Sequence, residues 1–431
     1  MNTNAKIKAP RGTFDVLGEQ SSARATLEAK ARAILEGAGY EHIETPTFEA
    51  TELFARGVGA STDIVQKEMY TFEDASGRSL TLRPEGTAPV CRAYVEHGMH
   101  KLRQPVRLWY LSSFFRHERA QAGRYRQFWQ LGAEALGSED PAVDAESICL
   151  LGAVLDAMGV ASMRLRLSSL GSLTARQEYR EQLQRHLLAH ADSISEDVRA
   201  RIELNPLRAF DSEHPGTQRV METAPLLRDF LGAEDAEHFS EVRARLDVAH
   251  ISYEIDPTLV RGLDYYTRTV FEFTSDELGA QSGVGGGGRY DGLVGRLGGP
   301  PTPGIGWAAG IERILLAGAL PPAAPAAVDL FVAYEPARDG GRPIEDRPAH
   351  HAPTDAFALL TEARAAGLTA QMELAGRSLK GQLGFANALG ARYVAILGVG
   401  ETVLKDMLGG SQDTLAPDAV VHGVLRGLRT L

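Results

Sequence analysis

Residues 115–134, FRHERAQAGRYRQFWQLGAE, alternate polar and apolar side chains on both sides of an arginine-rich turn. Such alternation predicts two strands joined by a polar loop. In the second strand, Gln130, Gly132 and Glu134 share one face, and aromatic or aliphatic residues occupy the other. An unpaired charge on a buried face is costly. The polar face therefore predicts a ligand site rather than ordinary core.

The same alternation places Arg116 and Glu118 on one face of the first strand. Four arginines occur between positions 116 and 126. Guanidinium groups match phosphate oxygens in bidentate geometry, so this cluster indicates a phosphate-rich ligand. The alternative interpretation is a solvated hairpin with ordinary surface charge.

Composition excludes several classes of protein. A chain of 431 residues can hold two or three domains, and its net charge of −11 argues against bulk, non-specific nucleic-acid binding. The arginine cluster could still form a local basic patch. No apolar run is long enough to cross a membrane, and the first residues do not resemble a secretory signal. Cys91 and Cys149 lack metal-ligand spacing and are interpreted as buried thiols in a reducing cytoplasm.

The first 173 residues mix helix and strand signals. We expect a helix from Ser21 or Ser22 to about Gly37, an extended segment around Pro46, and a helix beginning at Pro84. Residues 174–250 then become charged and helical, which indicates an insertion between two halves of one sheet domain. The strand pattern resumes afterwards. The remaining predicted elements before residue 320 are strands 105–115, 163–169, 252–256 and 267–274 and helices 144–158 and 310–316.

An Ala- and Pro-rich stretch, 317–327, is typical of a linker. Beyond it, strands alternate with helices, which predicts a small α/β domain with a largely parallel sheet. Its polar segment 338–352 is predicted to be a mobile loop. The predicted strands are 328–334, 369–373 and 392–397, and the predicted helices are 354–366, 378–389 and 417–429.

Two further segments carry polar groups suited to substrate binding. In TLRPEGTA (81–88), Glu85 and Thr87 stand at a helix entrance and could hold an ammonium group, although an N-terminal cap is the alternative. VRGLDYYTRTVFEF (260–273) concentrates Arg261, Tyr265 and Tyr266 before a strand, where a tyrosine-rich sheet edge is the alternative.

Two glycine-containing segments complete the set. GVGGGGRY (283–290) would allow backbone to approach a ligand closely, although a flexible loop fits equally well. GIGWAAGIERIL (304–315) presents Arg313 on a helix after a glycine turn, where it could also be an ordinary surface arginine.

In this order, the segments resemble the three signature motifs of class II aminoacyl-tRNA synthetases. The Pro46 segment resembles motif 1, the arginine hairpin motif 2, and the segment ending at Arg313 motif 3. The 260–273 and glycine blocks, with LRPEGTA, NPLRAFDSE (205–213) and RSLKGQLGFANALGARYVAILG (377–398), resemble the histidyl-tRNA synthetase family. The resemblance runs from about Pro10 to the C-terminus.

The resemblance implies an α+β catalytic core, with an antiparallel sheet flanked by helices, a helical insertion and a C-terminal α/β anticodon-binding domain. The implied boundaries are 1–173 and 251–320 for the core, 174–250 for the insertion and 328–431 for the last domain.

The family also implies roles at an ATP site. Arg116 would hold the α-phosphate, and Glu118 would contact the adenine side of ATP. Arg313 would lie against the adenine and near the γ-phosphate. Arg261 would lie between the histidine carboxylate and the α-phosphate, so that Arg261 and Arg116 carry catalysis. Mg²⁺ would accompany ATP through its phosphates, with no resident metal.

For histidine, the family pattern assigns the α-amino group to Glu85, Thr87 and Gln130. Glu134 and Tyr266 would contact the imidazole nitrogens. Tyr265 and Gly287 would complete the pocket, with Gly285–Gly288 and Tyr290 lining it.

The implied activity is ATP-dependent formation of histidyl-adenylate, followed by transfer to the 3′ end of tRNA(His), in a cytoplasmic homodimer with no membrane association. Arg119, Gln121 and Arg124 would meet the acceptor stem. Three alternatives remain: a synthetase-like regulatory subunit of ATP phosphoribosyltransferase, a class II synthetase for another amino acid, and a catalytically silent tRNA-binding paralogue.

Overall fold

A computed structural model describes residues 6–59, 62–119, 123–203, 205–259, 263–279, 282–319, 328–334, 352–398 and 401–429. The chain divides into two compact units, Met1–Pro322 and Ala323–Leu431. Within the described ranges, no helix is both long and apolar enough to cross a membrane.

The first unit alternates helices and strands along the chain. Its helices are α1 (Gly18–Gly37), α2 (Thr51–Gly57), α3 (Thr87–Glu96), α4 (Pro141–Ala157), α5 (Leu173–Ala189), α6 (Glu196–Arg201), α7 (Pro215–Met221), α8 (Ala233–Val248), α9 (Leu293–Arg296) and α10 (Ile311–Ala317). Its strands are β1 (Glu41–His42), β2 (Phe48–Ala50), β3 (Tyr70–Glu73), β4 (Ser79–Leu82), β5 (Val106–Phe115), β6 (Gln127–Leu136), β7 (Met163–Ser169), β8 (Glu254–Ile255), β9 (Thr267–Ser275), β10 (Gly283–Arg289) and β11 (Gly304–Gly310).

An eight-stranded sheet in the order β1-β5-β6-β11-β10-β9-β7-β8 forms the centre of this unit. Its inner pairs are antiparallel, and only the short edge strands β1 and β8 pair in parallel with their neighbours. Strands β2, β4 and β3 form a separate small sheet. The antiparallel sheet flanked by helices confirms the predicted fold class.

The two faces of the large sheet carry different hydrophobic clusters. Leu131 and Ala133 of β6 pack on one face with residues of α1, α4 and α8, and Trp129 packs against the same cluster. Tyr110 and Leu136 lie in the cluster on the opposite face, together with residues of α3 and α5. The alternation predicted for residues 129–134 is therefore confirmed.

Three predicted boundaries were wrong. Strand β5 ends at Phe115, so Arg116 and Glu118 follow the strand rather than share its face. Arg116 still contacts the other arm of the hairpin, since its amide donates to the Arg126 carbonyl at 2.9 Å, but the next amide, that of His117, donates to the Glu68 carbonyl at 2.7 Å. Helix α3 begins at Thr87 rather than Pro84, since the Glu85 carboxylate accepts hydrogen bonds from the first helical amides. Helix α1 carries the expected stripe but begins earlier, at Gly18.

The glycine cluster 283–289 is strand β10, so the flexible-loop interpretation is wrong. This strand is hydrogen-bonded to β9 on one side and to β11 on the other. A Cβ at Gly287 would overlap the Gly306 carbonyl oxygen, and one at Gly288 would lie 2.6 Å from the Thr269 carbonyl oxygen. Glycine is therefore needed here for close approach of neighbouring strands rather than for flexibility.

The helical stretch 174–250 packs onto both faces of the large sheet. Tyr179 and Leu183 of α5 belong to the cluster on the Tyr110 face, whereas Val242 and Leu246 of α8 belong to the cluster on the Leu131 face. Division of the chain by contacts assigns this stretch to the first unit. Short helical turns also occur in this unit, at Ile64–Glu68, Met99–Lys101, Pro206–Asp211, Leu227–Phe230 and Asp276–Leu278.

The second unit is an α/β fold around a five-stranded sheet, in the order β13-β12-β14-β15-β16. Its elements are β12 (Leu330–Tyr334), α11 (Ala352–Ala365), β13 (Ala370–Met372), α12 (Leu379–Ala388), β14 (Tyr393–Leu397), β15 (Thr402–Asp406), β16 (Gln412–Leu415) and α13 (Val420–Arg429). Strand β12 is parallel to both neighbours, but β14, β15 and β16 pair antiparallel. The prediction of a largely parallel sheet missed this last hairpin because its strands are short and polar. The predicted loop 338–352 lies outside the described residues except for Ala352.

Candidate active site

Glu134 is the most deeply buried acid on the polar face of β6, with none of its surface exposed. The Thr87 hydroxyl donates to its Oε1 at 2.8 Å, and the Tyr290 hydroxyl donates to its Oε2 at 2.6 Å. The Tyr110 hydroxyl lies 3.4 Å from Oε1. Four separate parts of the chain thus meet at one carboxyl group.

Burial raises the pKa of Glu134 to about 8, while hydrogen bonds from Tyr290, Thr87 and Tyr110 act in the opposite direction. Burial also raises the pKa of Glu85, which is 4% exposed. A carboxyl with a pKa near 8 can exchange a proton with an imidazole at neutral pH. The site is therefore suited to a ligand that carries a titratable nitrogen.

Glycines make room for these groups. A Cβ at Gly306 would overlap Oε2 of Glu134 from the paired strand β11. A Cβ at Gly86 or Gly132 would overlap the Tyr110 ring, which lies against both residues. The narrow space around Glu134 therefore depends on backbone positions that carry no side chain.

Glu85 and Thr87 stand at the beginning of α3. The two carboxylate oxygens of Glu85 accept from the amides of Thr87 and Ala88, at 2.8 and 2.9 Å. The Tyr265 hydroxyl lies 3.5 Å from Glu85 Oε2. The cap and the binding interpretations of Glu85 are thus compatible: the same carboxylate caps the helix and faces the buried tyrosines.

Three tyrosines complete the buried cluster. The ring of Tyr265 lies 4.8 Å from that of Tyr266 and 5.8 Å from that of Tyr290, measured between centroids. Arg176 of α5 donates to the carbonyls of Asp264 and Tyr266, each at 2.9 Å. Sequence reasoning missed Arg176 and Tyr110, because neither stands in a polar motif and only the tertiary contacts bring them here.

A cavity of about 710 Å³ opens along the sheet beside this cluster. The residues of the sequence-predicted site that line it are Arg116, Glu118, Arg124, Gln130 and Arg313. Its wall also includes three carboxylates that the sequence did not single out, Glu213, Glu272 and Glu312. Of these, Glu213 ends the NPLRAFDSE block, which was the available signal.

Backbone carbonyls anchor the two inner arginines of this cavity. Arg116 Nε donates to the Pro84 carbonyl at 2.9 Å, and its guanidinium lies 5.4 Å from the centre of the Phe128 ring. Arg313 Nε donates to the Gly283 carbonyl at 2.5 Å. Both guanidinium groups line the cavity, where they can contact an anionic ligand. Arg116 also has a charged neighbour, since Glu118 Oε1 lies 3.8 Å from its Nη1.

Gln130 and the predicted residues not yet placed lie in different environments. Gln130 lies between the cavity and Glu134 along β6, and its Oε1 is buried with no hydrogen-bond partner in the described part of the chain. Gly287 lies in β10 opposite Trp307. Arg119 is exposed, whereas Arg261 and Gln121 lie outside the described residues.

The described residues contain no group of three or more His, Cys, Asp or Glu side chains placed to hold a metal ion. Carboxylates do line the large cavity, among them Glu118 and Glu272. Their oxygens are of the kind that Mg²⁺ accepts, so the donor set fits a magnesium ion that arrives on phosphate groups.

The family model described as histidyl-tRNA synthetase matches residues 12–314. The chain belongs to the histidyl-tRNA synthetase family. It is 46% identical to a histidine–tRNA ligase of Desulforudis audaxviator, over 98% of this chain and 99% of that protein. It is also 46% identical to a histidine–tRNA ligase of Halorhodospira halophila, over 99% of both chains.

A solved structure gives the same result for the fold. The apo histidyl-tRNA synthetase of S. aureus is 36% identical, with a TM-score of 0.77, and the match covers 97% of this chain and 100% of that one. This similarity includes the C-terminal unit, so membership of the histidyl-tRNA synthetase family extends over both units of the chain.

Proposed function

We propose that this chain is a histidine–tRNA ligase that forms histidyl-adenylate from histidine and ATP and transfers the histidyl group to tRNA(His). The single observation that carries this function is the buried Glu134, to which the hydroxyls of Thr87 and Tyr290 donate, on the same strand as Gln130 of a cavity lined by Arg116 and Arg313. This arrangement would set a polar pocket for the imidazole beside a phosphate-binding surface.

Glu134 and Tyr266 would bind the imidazole nitrogens. Glu85, Thr87 and Gln130 would hold the α-amino group, and Tyr265 and Gly287 would close the pocket. The unpartnered Oε1 of Gln130 is an acceptor suited to an ammonium group. An apolar side chain would leave the buried polar groups unpaired, which is how such a site selects histidine.

In the first step, a carboxylate oxygen of histidine attacks the α-phosphorus of ATP, and the bond to pyrophosphate breaks. Arg116 and Arg261 would stabilise the charge that develops on the α-phosphate, and Arg313 and Glu118 would position the nucleotide. Mg²⁺ would enter on the ATP phosphates. In the second step, the 3′-terminal hydroxyl of tRNA attacks the histidyl carbonyl and AMP leaves.

We assign Arg119, Gln121 and Arg124 to the acceptor stem, and the second unit to the anticodon. The boundaries 1–173, 174–250, 251–320 and 328–431 remain our proposal for the core, insertion and anticodon-binding domain. We also propose a cytoplasmic homodimer with the Pro46 segment at its interface. Near this segment, Phe48 and Phe72 are 50% and 43% exposed, with ring centroids 6.2 Å apart.

ATP–pyrophosphate exchange measured with each of the twenty amino acids, in the absence of tRNA, tests this function. Exchange with histidine alone is expected. Absence of exchange with every amino acid, in folded protein, would instead favour the regulatory-subunit or tRNA-binding alternatives. Exchange with a different amino acid would show that the chain has another specificity.

A further inference from the structure

A second cavity, of about 360 Å³, lies between α5, the start of the NPLRAFDSE block and the segment before β9. Among the residues that the structure describes, its wall contains three arginines, Arg176, Arg180 and Arg296, and one carboxylate, that of Asp264. It is distinct from the cavity beside Glu134, with which it shares no lining residue. The proposed reaction does not use this second cavity.

The charges of its wall are poorly balanced. Arg176 Nη1 and Arg180 Nη2 donate to backbone carbonyls, those of Asp264 and Glu203. The Asp264 carboxylate lies 3.9 Å from Arg176. Burial lowers the pKa of Arg176, and the charges of Arg180 and Arg296 lower it further, so the three guanidinium groups repel one another.

Arg296, at the end of α9, is exposed at the rim of this cavity. Within the described part of the chain its guanidinium group makes no hydrogen bond or ion pair, although its backbone amide donates to the Gly292 carbonyl at 3.1 Å. The amide of Asn205 adds a neutral donor to the same wall. A cavity with a buried arginine at its base and an unpaired one at its rim presents converging donors to a small anion.

We propose that this cavity binds a phosphate group. The chain carries a net charge of −11, so a local surplus of guanidinium groups stands out against the surrounding charge. A phosphate would relieve the repulsion among the arginines and accept from several of them at once. The phosphate could belong to an RNA backbone, in which case the inference rests on the proposed function, or to free phosphate or pyrophosphate.

An anion bound at this site would also affect the proposed histidine pocket through Arg176. Arg176 donates to the Tyr266 carbonyl, and the ring of Tyr266 stacks beside that of Tyr265 near Glu85. An anion that holds Arg176 in place therefore holds the backbone of the tyrosine segment. This connection gives the site a route to the amino-acid pocket through direct contacts.

The test compares the wild type with Arg180→Gln and Arg296→Gln. Arg185→Gln is the matched control, because Arg185 lies on the same helix and does not line the cavity. Calorimetric titration measures the affinity for inorganic phosphate and for pyrophosphate. Fluorescence anisotropy measures the affinity for a tRNA(His) transcript at several salt concentrations. Each cavity variant is expected to bind the phosphate-bearing ligand several-fold more weakly than the wild type, whereas the control variant should bind it equally well.

If RNA supplies the phosphate, each cavity variant should lower the slope of log affinity against log salt by about one. A merely structural defect would not change that slope by one charge. Loss of phosphate or pyrophosphate binding without a change for tRNA identifies a free anion as the ligand. Unchanged binding of all three ligands in both variants overturns the proposal.

Arg296→Lys provides a further check, since it keeps the charge and should recover part of the affinity. Histidine-dependent exchange by the wild type tests the proposed function separately. If exchange fails while phosphate binding is intact, the proposed ligase function is wrong and the phosphate site stands. If exchange occurs but the cavity variants bind phosphate as the wild type does, only the phosphate site is wrong.

Discussion

Gly306 lies directly opposite Glu134 in the sheet, and a Cβ on residue 306 would overlap Oε2 of that carboxyl group. The position of the Glu134 carboxyl group therefore depends on a glycine at position 306, although 172 residues separate the two along the chain. Tyr290 reaches the same oxygen at 2.6 Å, and a Cβ at Gly304 would overlap the Tyr290 ring. Two glycines of β11 thus determine how closely Glu134 and Tyr290, which we propose to line the histidine pocket, can approach each other.

Gly306→Ala should displace the Glu134 carboxyl and weaken histidine binding about tenfold or more, because overpacking typically costs about 1–3 kcal/mol. The Michaelis constant for histidine in pyrophosphate exchange measures the effect. Gly37→Ala is the control, since a Cβ at Gly37 meets no atom within 4 Å. Equal constants for the wild type and Gly306→Ala would contradict the proposed role of Glu134.

Glu134→Gln should weaken the binding of histidine more than the binding of ATP. The amide NH₂ would face the Thr87 or Tyr290 hydroxyl, each of which now donates to the carboxyl group. An unsatisfied buried group costs about 1–3 kcal/mol, which corresponds to a loss of about fivefold to about 150-fold in affinity. Separate titrations with histidine and ATP measure the two effects. Equal losses for both substrates would argue against imidazole recognition by Glu134.

The raised pKa of Glu134 also predicts how stability depends on pH. Between 4.5, the ordinary value, and about 8, the folded state holds a proton that the unfolded state has lost. The contribution of Glu134 to the free energy of unfolding is therefore complete below pH 4.5 and declines as the pH rises toward 8. Without ligand, Glu134→Gln should show a shallower fall in melting temperature across this window.

The control for this pH effect is Glu277→Gln, which makes the same substitution at an exposed position. It should keep the wild-type pH dependence. Parallel curves for the wild type and Glu134→Gln would show that Glu134 ionises normally in the folded protein.

Arg261→Ala should lower the rate of adenylate formation by about a hundredfold to a thousandfold, the usual effect of removing a group that stabilises transition-state charge. Single-turnover measurements with histidine and ATP determine this rate. The melting temperature should stay close to that of the wild type. A near-normal rate would exclude Arg261 from the role that the family resemblance implies.

Asp144→Asn should destabilise the first unit by up to about 3–5 kcal/mol, because Arg289 would lose its fully buried counter-charge and keep only the partly exposed Asp291, at 3.1 Å. The Asp144 carboxylate also accepts from His238 at 2.8 Å. Urea unfolding measures the loss. Asp276→Asn removes the exposed partner of Arg164 and should cost less than about 1 kcal/mol. Similar losses in both variants would contradict this account.

Arg268 has a left-handed backbone conformation, with φ of 45°, where β9 has an irregular register against β10. Its Nε donates to Asp235 at 3.1 Å. Arg268→Ala and Arg268→Gly both remove this ion pair, but only glycine relieves the strain. The glycine variant should therefore be more stable than the alanine variant by about 1 kcal/mol in urea unfolding. The opposite order would show that the backbone is not strained.

Local patterns were enough to predict much of the fold. Alternation of polar and apolar residues correctly assigned the faces of β6, and helical periodicity placed α1 and α4. Both patterns arise within a few residues, because side-chain direction repeats every two residues in a strand and every 3.6 in a helix. The ordered motifs likewise identified the family, which the comparisons confirmed.

Where the sequence failed, long-range contacts decided the structure. The glycine cluster has no intrinsic strand preference, yet β10 forms because β9 and β11 pair with it on both sides. The end of β5 at Phe115 coincides with a long-range hydrogen bond, in which the His117 amide donates to the Glu68 carbonyl. By contrast, the antiparallel hairpin of the second unit, β15 and β16, is a local pairing that the sequence pattern did not reveal, because β16 is short and polar.

The sequence by itself determined the type of fold, the family and the acid at the centre of the polar face, because these depend on local periodicity and on motif order. Only the tertiary structure decided that Thr87 and Tyr290 donate to Glu134, that Gly306 leaves space for it, and that Arg176 holds the tyrosine segment. The environment of a buried charge is set by atoms that are distant along the chain. Its chemistry therefore emerges only when the chain is folded.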